Sequence, residues 1–137
     1  MIIYGHKKEL EQLSKLKKLH HAIIFSGPKG VGKRRIAQKF ALNILEETNS
    51  NQHPDLHIIT LEEGKRDIPV EKLRELISKL QLKSYSGKKK IAIIDDAEKM
   101  NPAACNSFLK TLEEPPGDSL IILITNNPQL LLSLIHI

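Results

Sequence analysis

Gly27-Pro28-Lys29-Gly30-Val31-Gly32-Lys33 fits the pattern of a phosphate-binding loop, and no other stretch of the chain restricts its fold so tightly. Gly27, Gly30 and Gly32 let the backbone curl so that several N–H groups point inward, where the oxygens of a phosphate accept them. Such a loop works only between a buried strand and a helix whose positive end stands behind it. Both are present. His21 to Phe25 form a short apolar run that reads as a strand, and Ile36, Ala37, Phe40, Ala41 and Ile44 recur at helical spacing directly afterwards. Lys33 then stands where an ammonium reaches the outer phosphates.

One part of the pattern is altered. The residue after the lysine is ordinarily Ser or Thr, whose hydroxyl is a magnesium ligand, and here it is Arg34. A guanidinium offers donors only and cannot ligate a metal. Arg35 and Ile36 follow, so no shift of register restores the hydroxyl. The expected phosphate-binding set is Gly27, Pro28, Lys29, Gly30, Val31, Gly32, Lys33 and Arg34. ATP is an expected but weak ligand.

A second chemical signal lies downstream. Ile91-Ala92-Ile93-Ile94 ends in Asp95 and Asp96, which reads as a central strand delivering a carboxylate at its C-terminal edge, where open parallel sheets bind ligands. In phosphate-loop proteins a carboxylate at the place of Asp95 holds magnesium, usually through water. The next position is usually a water-orienting glutamate in hydrolysing proteins, and Asp96 is one methylene shorter. No catalytic residue is therefore expected, Asp95 and Asp96 being a degenerate pair.

The remaining chain supplies the frame. Leu10, Leu13, Leu16 and Leu19 mark an amphipathic helix before the first strand, and Leu56 to Leu61 a second strand. His53 and His57 lie four apart, but Pro54 opposes a helix that would put both on one face, so no zinc is expected. Val70, Leu73, Leu76, Ile77 and Leu80 mark a second covering helix, and Ser86 to Lys90 a wet lysine loop. Asn101 caps a helix opened by Pro102, with Cys105 as a small core residue and Phe108, Leu109 and Leu112 on its buried side. Leu120 to Ile124 form a fourth strand, ending in Thr125, Asn126 and Asn127. Four strands alternating with helices predict a three-layer α/β fold, a parallel sheet with helices on both faces.

Composition narrows little further. The 137 residues suffice for one domain with a core, and 21 Lys and Arg against 16 Asp and Glu leave a formal charge of +5. That charge permits nucleic-acid or phosphate partners, though a solvated basic surface explains it equally well. A single cysteine excludes an internal disulfide and suits a reducing cytoplasm. The chain opens on no export leader and has no apolar run of spanning length, so no membrane partner is expected.

Four stretches carry a resemblance: residues 21–28, His53-Pro54-Asp55-Leu56, Ile93 to Asn101, and Phe108-Leu109-Lys110-Thr111-Leu112-Glu113-Glu114-Pro115-Pro116. From His6 to Leu131 the chain resembles the first domain of bacterial replicative clamp-loader subunits of the AAA+ family, those of the delta-prime type most of all. The resemblance implies a P-loop (AAA+) domain over residues 1–131, incomplete before the fifth strand and lid. It implies partners in the delta and gamma/tau clamp-loader subunits, the sliding clamp and primed DNA, the last through non-specific electrostatics. Thr125 or Asn126 matches a polar sensor facing the nucleotide, the competing reading being a simple loop-entry residue.

Motor subunits of that family keep Ser or Thr after the loop lysine and an Asp-Glu pair on the third strand. Arg34 and Asp96 depart at both places, which favours a non-hydrolysing delta-prime role over an ATP-hydrolysing gamma/tau subunit; another AAA+ ATPase and a helicase loader of the same superfamily are the remaining alternatives. Leu132 to Ile137 leave the family pattern and read as one translated frame of a transposon-end sequencing adapter, so residues 132–137 are expected to be a non-native tail.

Overall fold

The computed structural model describes residues 2–4, 22–26, 32–46, 53–85, 89–114, 116–127 and 129–131. The loop residues Gly27 to Val31, the leucines of residues 10–19 and the tail 132–137 lie outside this set, as do the side chains of Leu109 and Leu112. Five parallel strands form one sheet: β1 (Ile2–Tyr4), β2 (Ala22–Ser26), β3 (Leu56–Ile59), β4 (Lys90–Ile94) and β5 (Ser119–Thr125). Among the described residues three helices lie between β2 and β5: α1 (Lys33–Ile44), α2 (Val70–Gln81) and α3 (Pro102–Glu113). The spatial order is β1-β2-β5-β4-β3. The strand β1 is additional to the four read from the sequence. Three residues are too few for a periodic signal, and β1 is set by its pairing, Ile2 beside Ile23 and Tyr4 beside Phe25.

Alternation along the strands builds two cores, one on each face. Ile23 and Phe25 of β2, Ile91 and Ile93 of β4, and Leu120, Ile122 and Ile124 of β5 pack beneath Ala37, Ala41 and Leu45. Ala22, Ile24, Ala92, Ile94, Ile121 and Leu123 point the other way, onto Leu73, Leu76 and Leu80 of α2 and Ala104, Cys105 and Phe108 of α3. A sheet covered on both sides needs apolar residues at every position, which is why its strands read as continuous runs rather than alternating ones.

Small residues decide how α1 sits. Ala37, Ala41 and Leu45 recur every four residues, and the two alanines allow the helix close to the sheet, with the Phe25 and Phe40 rings 6.0 Å apart beside them. Ile36 was expected on that stripe and is instead 49% exposed. It stands about 100° around the helix from Ala37, off the line of contact.

The start of α3 is as expected: Asn101 Oδ1 accepts the N–H of Ala104 at 2.7 Å, and Pro102 occupies the first turn. Lys90 departs from the wet loop expected of residues 86–90. It opens β4, is 7% exposed, and donates its ammonium to the carbonyl of Lys79 in the last turn of α2. A cation satisfies a free carbonyl at a helix C-terminus, where the dipole favours it. No helix among the described residues is long and apolar enough to cross a membrane.

Candidate functional site

The strand order brings the chemistry together. β5 lies between β2 and β4, with Ser26 beside Thr125 and Ile94 beside Leu123, so the C-terminal ends of three neighbouring strands open on one edge. That edge carries a cleft of about 230 Å³ lined by Gly32, Lys33, Arg34, Asp95, Asp96, Ile124, Thr125 and Asn126. Every described residue of the expected set is therefore in one place, although Arg34 and Asp95 are far apart in sequence. Gly27, Pro28, Lys29, Gly30 and Val31 are outside the described residues.

Gly32 begins α1 with φ 69° and ψ 36°, a left-handed conformation that a Cβ would strain. Its carbonyl accepts the N–H of Ile36 at 3.1 Å and so closes the first helical turn. Lys33, Arg34 and Arg35 fill that turn, and α1 has no acid there. The positive end of a helix dipole disfavours cations, so this arrangement suits a bound anion.

Opposite stands Asp95. Its Oδ1 accepts the N–H of Asp96 at 3.0 Å, and its Oδ2 lies 3.9 Å from Nη1 of Arg34. Burial pushes the Asp95 carboxyl above its ordinary range, and the neighbouring Asp96 charge adds to this; the Asp96 N–H, Arg34 and Lys33 pull the other way. Asp96 adopts φ 52°, a left-handed turn that short polar side chains tolerate better than others do. The guanidinium thus stands against the carboxylate that would have held a metal. The set does not fit magnesium: the hydroxyl oxygen is absent, the carboxylate lies 3.9 Å from a guanidinium, and that cation would repel the ion.

The structure separates Thr125 from Asn126. Asn126 is exposed at the cleft, whereas Thr125 is buried and its hydroxyl donates to Glu98 Oε1 at 2.6 Å. Glu98 lies on a 3-10 turn, Ala97–Lys99, and is only 7% exposed. Sequence reasoning missed it, because a glutamate between alanine and lysine reads as a solvated acid. His53 and His57 lie apart from the cleft. His53 Nδ1 accepts the N–H of Asp55 at 3.0 Å, while His57 stands on β3 with Nε2 buried and without a partner among the described residues.

Comparison with known proteins is decisive at this point. A family model described as DNA polymerase III, delta subunit matches residues 5–136. The chain belongs to this family. Among its relatives, DNA polymerase III subunit delta' of Pseudomonas aeruginosa is 32% identical over 128 residues, which cover 82% of this chain and 39% of that protein. DNA polymerase III subunit tau/gamma of Haemophilus influenzae is 35% identical over 126 residues, 82% of this chain and 18% of the relative. A crystal structure of a DNA polymerase III gamma subunit-related protein from Thermotoga maritima superposes with a TM-score of 0.76 at 25% identity, over 93% of this chain and 42% of that one. The chain thus spans about two fifths of the delta' relative's length or less, and the family fold is the AAA+ P-loop fold expected from the sequence.

Proposed function

We propose that this chain is the nucleotide-cleft region of a clamp-loader subunit of the delta-prime type, working in the bacterial cytoplasm. It assists loading of a sliding clamp on primed DNA while hydrolysing little or no ATP itself. The observation that carries the reading is the Arg34–Asp95 pair across the cleft. Phosphoryl transfer needs a metal, an oriented water and stabilising charge together. Here Arg34 takes the place of the metal-binding hydroxyl and faces Asp95 at 3.9 Å, and Asp96 has a shorter reach than a glutamate. Gly32 and Lys33 retain the means to hold phosphate, so nucleotide binds weakly and gains nothing from magnesium. The partners are the delta and gamma/tau subunits, the clamp, and DNA through non-specific charge contacts that weaken steeply with salt.

The test is reconstitution with gamma/tau and delta subunits, clamp and primed DNA. Assembly of the complex, with no ATP turnover assignable to this chain in single-turnover assays, is the expected result. The second reading, a hydrolysing gamma/tau-type motor, is favoured by the match to a tau/gamma relative and by the retained Lys33. Magnesium-dependent turnover by the isolated chain would establish that reading instead. Capture of a helicase rather than the other loader subunits would overturn both.

A further inference from the structure

Thr125 lines the cleft, yet its one proton goes elsewhere. Oγ1 donates to Glu98 Oε1 at 2.6 Å and accepts the N–H of Asn127 at 2.9 Å. A hydroxyl has a single proton, so while Glu98 accepts it Thr125 has no donor for an anion. Hydroxyl-to-carboxylate bonds of this length are among the stronger ones a side chain makes. Both groups are enclosed, Glu98 at 7% and Thr125 at 1% exposure.

Neither partner is placed to swing away. Glu98 sits in the middle of a short turn whose Lys99 N–H bonds to the Asp96 carbonyl at 2.8 Å, and whose Lys99 carbonyl accepts from Ile68 at 2.8 Å. The second carboxylate oxygen, Oε2, is buried without a hydrogen-bond partner among the described residues, so the Thr125 proton answers the carboxylate's need for a donor. On the other side, Asn127 Oδ1 accepts the N–H of Leu130 at 3.1 Å, and its carbonyl accepts the N–H of Leu131, whose side chain is fully buried. Thr125 is therefore fixed both by the turn after β4 and by the segment after β5.

We infer that Glu98 is a positioning residue that withholds the Thr125 hydroxyl from the cleft, so that a bound polyphosphate meets Gly32, Lys33 and Arg34 but not this donor. The inference rests on the phosphate-binding reading given above.

The test is a double-mutant cycle on the full chain, titrated calorimetrically with ATP and with inorganic tripolyphosphate in the absence of divalent cation. Thr125→Val alone leaves either affinity within about twofold, because the hydroxyl is already engaged. Glu98→Ala tightens binding about tenfold, the worth of a hydrogen bond to a charged group together with the loss of a nearby negative charge. Adding Thr125→Val to Glu98→Ala removes the hydroxyl's share of that gain and leaves the electrostatic share. Glu98→Gln keeps an acceptor oxygen and so keeps Thr125→Val without effect. If Glu98→Ala does not fold, Glu98→Leu, closer in volume, replaces it in the cycle.

A fivefold or greater loss from Thr125→Val in the otherwise native chain overturns the inference and leaves the phosphate site standing. So does a gain from Glu98→Ala that Thr125→Val does not diminish, or no gain at all in a chain whose parent binds. Failure of the parent and every variant to bind either anion overturns the phosphate reading, and this inference with it.

Discussion

Arg34→Thr is the substitution that bears most directly on the cleft. A magnesium ion at the Asp95 oxygens would first have to displace the guanidinium, 3.9 Å away. Arg34 is half exposed, so the pair is worth about 1 kcal/mol or less. If the guanidinium stays instead, the ion stands about 4 Å from a unit positive charge, and at the dielectric of water that repulsion is about 2 kcal/mol. By either route magnesium is disfavoured by about 1–2 kcal/mol, roughly five- to thirtyfold in affinity, before the absent hydroxyl ligand is considered. Arg34→Thr removes that penalty and restores the hydroxyl, while folding stability changes by only about 1 kcal/mol. Nucleotide titration of parent and variant, with and without magnesium, measures the effect. The parent shows no gain from magnesium and the variant gains at least tenfold. Single-turnover hydrolysis remains negligible in both, since Asp96 is unchanged and stabilising charge from elsewhere is still needed. Tight magnesium-dependent binding by the parent would refute the reasoning, because it would mean that the guanidinium leaves Asp95 at little cost.

Asp95→Asn is expected to flatten part of the pH dependence of stability. An acid whose folded pKa is raised binds more protons folded than unfolded, so its contribution to stability falls as pH rises from the ordinary carboxylate value through the raised one. Urea midpoints of the variant should gain on the parent between acidic and neutral pH, and parallel curves would count against it. His57 has the opposite slope. Burial, then Lys90 and Lys79, lower its pKa, so the unfolded chain takes up a proton first and stability is lost as pH falls through about 6.5. His57→Leu should remove that acid limb, and its persistence would place the titration elsewhere. Phe108→Ala, at a fully buried position of α3, should cost about 3–5 kcal/mol, read from the denaturant midpoint; a loss under 1 kcal/mol would mean that the core closes over the gap.

How much of this was legible in the sequence varied with the kind of interaction. Asp95 could be placed because four apolar residues precede it, and a strand buried on both faces has no other way to read. The helix opened by Asn101 and Pro102 was equally plain, since capping chemistry is local. Ile36 was misplaced because several apolar residues in one helix fit more than one stripe, and contact with the sheet chose Ala37 and Ala41. Thr125 and Asn126 are adjacent polar residues that only their partners distinguish. Glu98 gave no signal at all, because its burial depends on a strand end 27 positions away. Arg34 was visibly unsuited to metal, but that its guanidinium turns toward Asp95 is a fact of three dimensions.

The central place of β5 has a consequence for how the molecule is made. Ala22 pairs with Ile121 and Lys90 with Ser119, so both halves of the sheet wait for the last described strand before they join. During vectorial synthesis the β3-α2-β4 unit can assemble from near neighbours as it emerges. β2 and α1, made earlier, have no finished surface to dock on. Closure of such distant pairs is slow, and until it occurs a nascent chain presents two half-built cores and an open strand edge. A nascent chain that has exposed β4 but not yet β5 is therefore in the state most open to chaperones and to aggregation.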